Sequence, residues 1–177
     1  VVVYISDITV NGGGYYASAP TATGLTFTQQ VNQSGSTGDK KLRIHTAVVS
    51  GSVTAPTISE IAYSYGGSAS AISVFQTAIV VKNASSTPVG STISNYVTTS
   101  SFYYGNALTV ANSLNIFAVY DGGVNGYAST PFTNTTATAQ LYPINPVPST
   151  SGYAGWATSA SSSATIIPTF SASGTNS

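Results

Sequence analysis

The chain begins with "VVVYISDITVNGGGYY" (residues 1–16), a run of mostly β-branched and aromatic residues that three consecutive glycines follow. Such a run is typical of a β-strand. In an extended strand the even-numbered side chains lie on one face and the odd-numbered ones on the other, and both faces are apolar over the first five residues. We therefore expect this strand in the interior of a core, because an exposed edge of this kind would aggregate.

The glycines Gly12, Gly13 and Gly14 have no propensity to pack or to hold a direction. They could let the preceding strand leave its own domain and complete the sheet of another copy of the chain. The sequence thus raises the question of whose core the strand fills.

The composition favours a secreted protein. The chain has 177 residues, which suits one domain, and it contains neither Met nor Cys. We expect a processed chain that is secreted after signal-peptide cleavage and that folds without disulfides. Only 5% of the residues are charged, compared with about 25% in ordinary soluble domains.

The low charge also excludes several partners. Four basic residues are balanced by four acidic ones, so there is no basic patch for nucleic acid or anionic lipid. No stretch approaches the ~18 to 20 apolar residues of a membrane span, and we expect none in the mature chain. With so few carboxylates to protonate, we expect the fold to be nearly indifferent to pH.

The apolar segments are short, rich in Val, Ile, Thr, Tyr and Phe, and separated by Gly, Pro, Asn and Ser. This pattern predicts an all-β fold, either an Ig-like or a jelly-roll β-sandwich. The predicted strands are 2–10, 25–31, 42–49, 58–65, 71–81, 92–97, 114–120, 135–142 and 164–170. The segment "PINPVPSTSG" (residues 143–152) is interpreted as a turn.

An enzyme or a metal site is not expected. His45 is the only histidine, and in "LRIHTAVV" it alternates with Arg43 opposite Leu42 and Ile44. This alternation predicts that His45 and Arg43 face solvent. The chain has no cysteine, and its four carboxylates are scattered, so no nucleophile, base and orienting group converge.

Three Asn-X-Ser/Thr sequons occur, at Asn32, Asn83 and Asn134. Asn32 and Asn83 lie where a strand pattern gives way to a loop, and Asn134 lies in a loop-like stretch. We expect N-linked glycans at these sites and no other cofactor. Glycans would also hydrate a surface that has few charges.

The chain has twelve tyrosines, and Trp156 lies in "SGYAGWA". Exposed aromatic rings could stack on sugars, so a secreted carbohydrate-binding module is an alternative interpretation. Tyrosine also simply suits a half-buried β surface. A jelly-roll protein of a capsid or surface layer is a further alternative.

In overall character and in its first fourteen residues, the chain resembles the thread filament subunits of Sulfolobales archaea, which are similar in architecture to bacterial type I pilins. Subunits of that family are glycosylated β-sandwiches that join head to tail by donor-strand complementation. The chain departs from many type I pilins in having no cysteine. A bacterial chaperone–usher pathway is therefore not expected.

The resemblance implies an extracellular cell-surface filament whose partners are identical subunits in a head-to-tail homopolymer, used for adhesion to a cell or abiotic surface or for biofilm formation. Residues 1–11 would form the donor strand, 12–14 the glycine linker and 15–177 a single β-sandwich domain. The donor side chains would be Val1, Val2, Val3, Tyr4, Ile5, Ile8 and Val10.

Overall fold

In this computed structural model, every regular element among the described residues is a β-strand. The structure describes residues 1–10, 15–34, 40–54, 56–60, 62–64, 72–85, 87–90, 92, 94, 101–103, 106–107, 113–121, 137–147, 150–159, 165–166 and 169–171. The strands are β1 (Val2–Val10), β2 (Tyr15–Ala17), β3 (Thr28–Ser34), β4 (Lys40–Ala47), β5 (Ala62–Ser64), β6 (Ile72–Val80), β7 (Ser101–Tyr103), β8 (Asn106–Ala107), β9 (Ser113–Asp121), β10 (Ala137–Val147), β11 (Thr150–Ser159), β12 (Thr165–Ile166) and β13 (Thr169–Ser171). The predicted all-β class is confirmed, while the Ig-like or jelly-roll sandwich stays a prediction.

The chain divides into two compact units, Val1–Tyr96 and Val97–Ser177. Compact units can belong to one domain, so a single domain over 15–177 also stays a prediction. The first unit holds a four-stranded antiparallel sheet in the order β3-β4-β1-β6 and the pair β2-β5. The second holds a sheet in the order β10-β11-β9 and the pairs β12-β8 and β13-β7. No described helix is long and apolar enough to cross a membrane.

Strand bounds agree best with the sequence where the apolar run is long. β1 covers the predicted residues 2–10, and β6 and β9 lie within one residue of prediction at each end. The predicted strand 25–31 instead begins at Thr28, and most of the predicted strand 92–97 lies outside the described residues.

The predicted turn "PINPVPSTSG" was too long, because β10 runs through Pro143 and Pro146 to Val147 and β11 already begins at Thr150. β10 is an edge strand of its sheet, and its pairing with β11 shifts register between Gln140 and Tyr142 and between Ile144 and Val147. Proline is tolerated at such edges and irregularities because its missing N–H removes no essential ladder hydrogen bond.

Candidate functional site

The N-terminal strand is the central feature of the first unit. β1 pairs antiparallel with β4 from Val2 to Thr9 and with β6 from Val2 to Val10. The ladder continues at the chain end, where the Val1 amino group donates to the Val81 carbonyl at 2.7 Å and the Val81 N–H donates to the Val1 carbonyl at 2.8 Å. In the single chain, β1 therefore occupies the space between two strands that do not pair with each other.

The front of β1 is buried on both faces, as the sequence predicts. Its residues from Val2 to Ser6 are between 0 and 8% exposed, and Ile5 and Ser6 are fully buried. The core that they fill is the core of their own chain. Burial of the four apolar residues in this run contributes on the order of 10 kcal/mol before ordering costs.

A buried carboxylate receives the polar side chains of β1. The Tyr4 hydroxyl donates to Glu60 Oε2 at 3.0 Å, and the Ser6 hydroxyl donates to Glu60 Oε1 at 3.2 Å. Glu60 also forms an ion pair with the Arg43 guanidinium, and its side chain has no solvent exposure. One carboxylate thus connects two positions of β1 to β4.

Arg43 and His45 lie on this same buried face, so the prediction that they face solvent was wrong. Arg43 is 6% exposed and His45 2%, whereas Leu42 and Ile44 on the other face are only partly buried. The alternation along β4 is as predicted, but its inner and outer sides are reversed. For Arg43 the reason is that loop segments supply polar partners: Arg43 donates to the Ser18 carbonyl at 3.0 Å and pairs with Glu60.

Two contacts of residues outside the strands accompany this arrangement. A bridge between Thr21 and Ser59, with both N–H to carbonyl distances at 2.8 Å, fixes the backbone just before Glu60. The ring of Phe27 packs against the ring of Tyr4 with centroids 6.1 Å apart and an interplanar angle of 58°. Such tilted ring contacts add to the burial of aromatic side chains.

This environment shifts the pKa values of Tyr4 and His45. Burial raises the pKa of Tyr4 to about 12, against a smaller opposing effect of the Arg43 charge and a hydrogen bond with Gln76. Burial, and secondarily the Arg43 charge, lower the pKa of His45 to about 4. His45 Nδ1 has no hydrogen-bond partner among the described residues. At neutral pH, Tyr4 is therefore a hydrogen-bond donor and His45 is uncharged.

We call Tyr4, Ser6, Arg43, His45 and Glu60 the Glu60 cluster. All five side chains are nearly or fully inaccessible to solvent, and the carboxylate is neutralised by its guanidinium. Buried charges are stable only when they are paired, and this carboxylate has the guanidinium and the two hydroxyls as partners. Among the described residues, no group of three or more His, Cys, Asp or Glu could hold a metal ion.

The structure brings only part of the predicted site together. β1, including Ile8 and Val10, lies in the sheet, while the linker glycines Gly12, Gly13 and Gly14 lie outside the described residues. The sequon asparagines Asn32, on β3, and Asn83 are exposed, and Asn134 lies outside the described residues. Asn83 has a φ of 56°, a left-handed conformation that Asn tolerates better than most residues.

Sequence reasoning missed the Glu60 cluster. A signal was present, because polar residues two apart occur both in β1 (Tyr4 and Ser6) and in β4 (Arg43 and His45). Matching pairs of this spacing indicate two strands whose polar faces meet in register. Glu60 itself lies 17 residues from Arg43 in an irregular segment, and no local pattern points to it.

No family model, no curated protein and no solved structure matches this chain.

Proposed function

We propose that this chain is a structural subunit of an extracellular filament, and that it polymerises head to tail when β1 of one copy fills the sheet of the next. The observation that supports the proposal is the place of β1: the strand that precedes the three glycines lies in the middle of a sheet, between β4 and β6. Without β1, the axes of these two strands would lie about 9.5 Å apart, which is two interstrand spacings and leaves room for one added strand.

The contacts of β1 are the same whether the strand comes from its own chain or from a second copy. Exchange of one element between identical chains, or domain swapping, therefore changes connectivity while it keeps the interface. Donation in one direction only is a heterologous contact, and such contacts form open filaments. The linker sequence Gly12-Gly13-Gly14 places few conformational restrictions on such an exchange.

Self-insertion competes with exchange. We call the space between β4 and β6 the groove. A strand on a short tether has a millimolar effective concentration at the groove of its own chain, so exchange requires high protein concentration or release of β1 before assembly. Once exchanged, the strand would dissociate slowly, because main-chain hydrogen bonds on both sides must break together with the burial of Val2 to Ile5.

Exchange is tested by mixing two damaged full-length chains. Ile5→Asp places a charge on β1 and should prevent its insertion, but it does not change the groove. Ala47→Asp places a charge in the groove opposite Val2, but it does not change β1. After refolding together at high concentration, light scattering is expected to show a complex of two chains, each 17.9 kDa, that neither variant forms alone. Val48→Asp, at an exposed residue next to Ala47, is the matched control and should not block self-association.

Electron microscopy of the unmodified chain after the same refolding tests the filament itself. Filaments are expected from the unmodified chain and from Val48→Asp, and none from Ile5→Asp. Monomers of the unmodified chain at every concentration, together with no complex in the mixture, would overturn the proposal.

A second candidate is favoured by one observation. β1 pairs within its own sheet, which is the arrangement that a self-contained secreted carbohydrate-binding module requires. Trp156, in β11 opposite Ile116 and Ala139, keeps part of its surface exposed and could contact a sugar. A monomer that binds polysaccharide, with binding lost in Trp156→Ala, would support this candidate.

We further propose that Asn32 and Asn83 carry N-linked glycans. Both side chains are exposed, as glycosylation requires, and Asn32 lies on β3, an edge strand of its sheet. A glycan at this edge would block pairing with other strands, which an edge strand otherwise invites. Mass spectrometry of peptides from the native source tests occupancy. Unmodified peptides at both positions would contradict the proposal.

A further inference from the structure

The apolar pattern of β1 does not by itself fix the register of this strand. In a two-residue slip, Val3 would take the place of Ile5 opposite Ile44. Exchanging Ile for Val in a core costs only about 1 kcal/mol. A slip by an even number of residues also keeps each side chain on its original face, whereas an odd slip reverses the faces. Strands with similar residues at i and i+2 are therefore poorly protected against even slips.

The other face of β1 distinguishes the registers. Tyr4 lies opposite His45 and Ser6 opposite Arg43, and both hydroxyls donate to Glu60. In the same two-residue slip, Val2 would take the place of Tyr4 and would bring no hydroxyl. The ring of Tyr4 would have to enter the place of Ser6, which is fully buried and sized for a small side chain.

We propose that the Glu60 cluster selects the strand that the groove accepts and sets its register. The groove would bind a strand that has a hydroxyl-bearing aromatic residue and, two positions later, a small hydroxyl-bearing residue. This inference rests on the proposed function for its partner, which is β1 of a second copy. Glu60 is the acceptor of both hydroxyls, and Arg43 forms an ion pair with that carboxylate.

A buried ion pair suits this role better than it suits stabilisation. Buried ion pairs are often no more stabilising than apolar side chains of similar volume, because both charges lose their hydration. Their best-supported role is to penalise wrong registers, since a misplaced strand leaves a buried charge without its donors. The apolar face provides the burial, and the Glu60 cluster discriminates among the registers that burial would allow.

Engineered disulfides can report the register in the full chain, which has no cysteine of its own. Val3→Cys with Thr46→Cys reports the observed register, because Val3 lies opposite Thr46. Val3→Cys with Ile44→Cys reports the two-residue slip. These positions lie on the face opposite the Glu60 cluster, so the reporters leave the cluster intact, and adjacent-strand Cα distances suit disulfides.

The test compares disulfide yields after refolding, with Tyr4→Phe plus Ser6→Ala introduced beside each reporter pair. Loss of two hydrogen bonds to a carboxylate should raise the ratio of slipped to native disulfide at least about tenfold. Thr77→Val, which removes a hydroxyl on β6 opposite Ile5, is the matched control and should leave the ratio unchanged. If the double variant does not fold, the same ratio is measured with Tyr4→Phe alone.

A ratio within twofold of the unmodified background, in a variant that circular dichroism shows to be folded, would overturn register selection. A separate mixture tests the partner: chains with only Val3→Cys are refolded with chains that have only Thr46→Cys. A covalent dimer on a non-reducing gel supports strand exchange. No dimer, with a changed ratio within single chains, would overturn the proposed function while register selection by the Glu60 cluster stands.

Discussion

From Val2 to Ser6, both faces of β1 are inaccessible to solvent, but their side chains differ in chemistry. Val3 and Ile5 lie on one face opposite Thr46 and Ile44, where apolar contact is nondirectional. Tyr4 and Ser6 lie on the other, where each hydroxyl has one carboxylate oxygen as its acceptor. Burial alone therefore does not specify a strand, because only the polar face requires a particular residue at each position.

The largest effect is expected from breaking the ion pair on the polar face. Glu60→Ala leaves the Arg43 guanidinium buried without its carboxylate, and the free energy of unfolding should fall by about 3 to 5 kcal/mol. Chemical denaturation measures the change. The double variant Arg43→Met plus Glu60→Leu removes both charges and should recover much of the loss. A double variant as unstable as Glu60→Ala would contradict this account.

The apolar face should respond to lost volume. Ile5→Ala removes fully buried methyl and methylene groups and should lower the free energy of unfolding by about 3 kcal/mol, and Ile5→Val by about 1 kcal/mol. Val48→Ala, at a residue that is 56% exposed, is the control and should change stability by less than about 0.5 kcal/mol. Equal losses at the two sites would mean that β1 is not a core strand.

Acid should weaken the polar face through His45. Its pKa is about 4 in the folded chain and 6.5 when unperturbed, so between these values only the unfolded chain takes up the proton. The stability that uncharged His45 contributes is fully present above pH 6.5, declines as the pH falls, and is lost by about pH 4. The total loss is on the order of 3 kcal/mol. The expectation that the fold is indifferent to pH therefore needs revision.

The matched variant is His45→Gln, which cannot titrate. The difference in stability between the unmodified chain and His45→Gln, measured at pH 7.5 and again at pH 4.5, isolates this residue because the carboxylates are common to both. A difference that does not change with pH would show that His45 is equally protonated in the folded and unfolded chains.

A smaller effect is expected from the hydroxyl of Tyr4. Tyr4→Phe keeps the ring contact with Phe27 but removes one donor to Glu60, and stability should fall by about 1.5 to 3 kcal/mol at neutral pH. Above pH 10 the unfolded tyrosine loses its proton before the folded one, whose pKa is about 12. Stability of the unmodified chain should thus decline from pH 10 to 12, and Tyr4→Phe should reduce that decline.

The sequence predicted the bounds of the strands better than it predicted which face of each strand is buried. The bounds of β1 followed from a run of mostly β-branched and aromatic residues that glycines follow, which is a local property. The orientation of β4 could not follow, because Arg43 and His45 look like solvent-facing residues, and the partners of Arg43, Ser18 and Glu60, come from distant segments. Likewise, β11 was missed because prolines in its neighbour suggested a turn, and only the sheet order shows that neighbour to be an edge.

The placement of β1 between β4 and β6 determines how the sheet would respond to tension. A pull along the axis of β1 acts at right angles to hydrogen bonds on both sides of the strand, because antiparallel ladder bonds run across the strands. The bonds are then loaded together in shear, and no end opens first as in a zipper. A fibre built by strand exchange would place this shear joint at every junction, and its tensile strength would be set by a ladder that is eight to nine residue pairs long on each side.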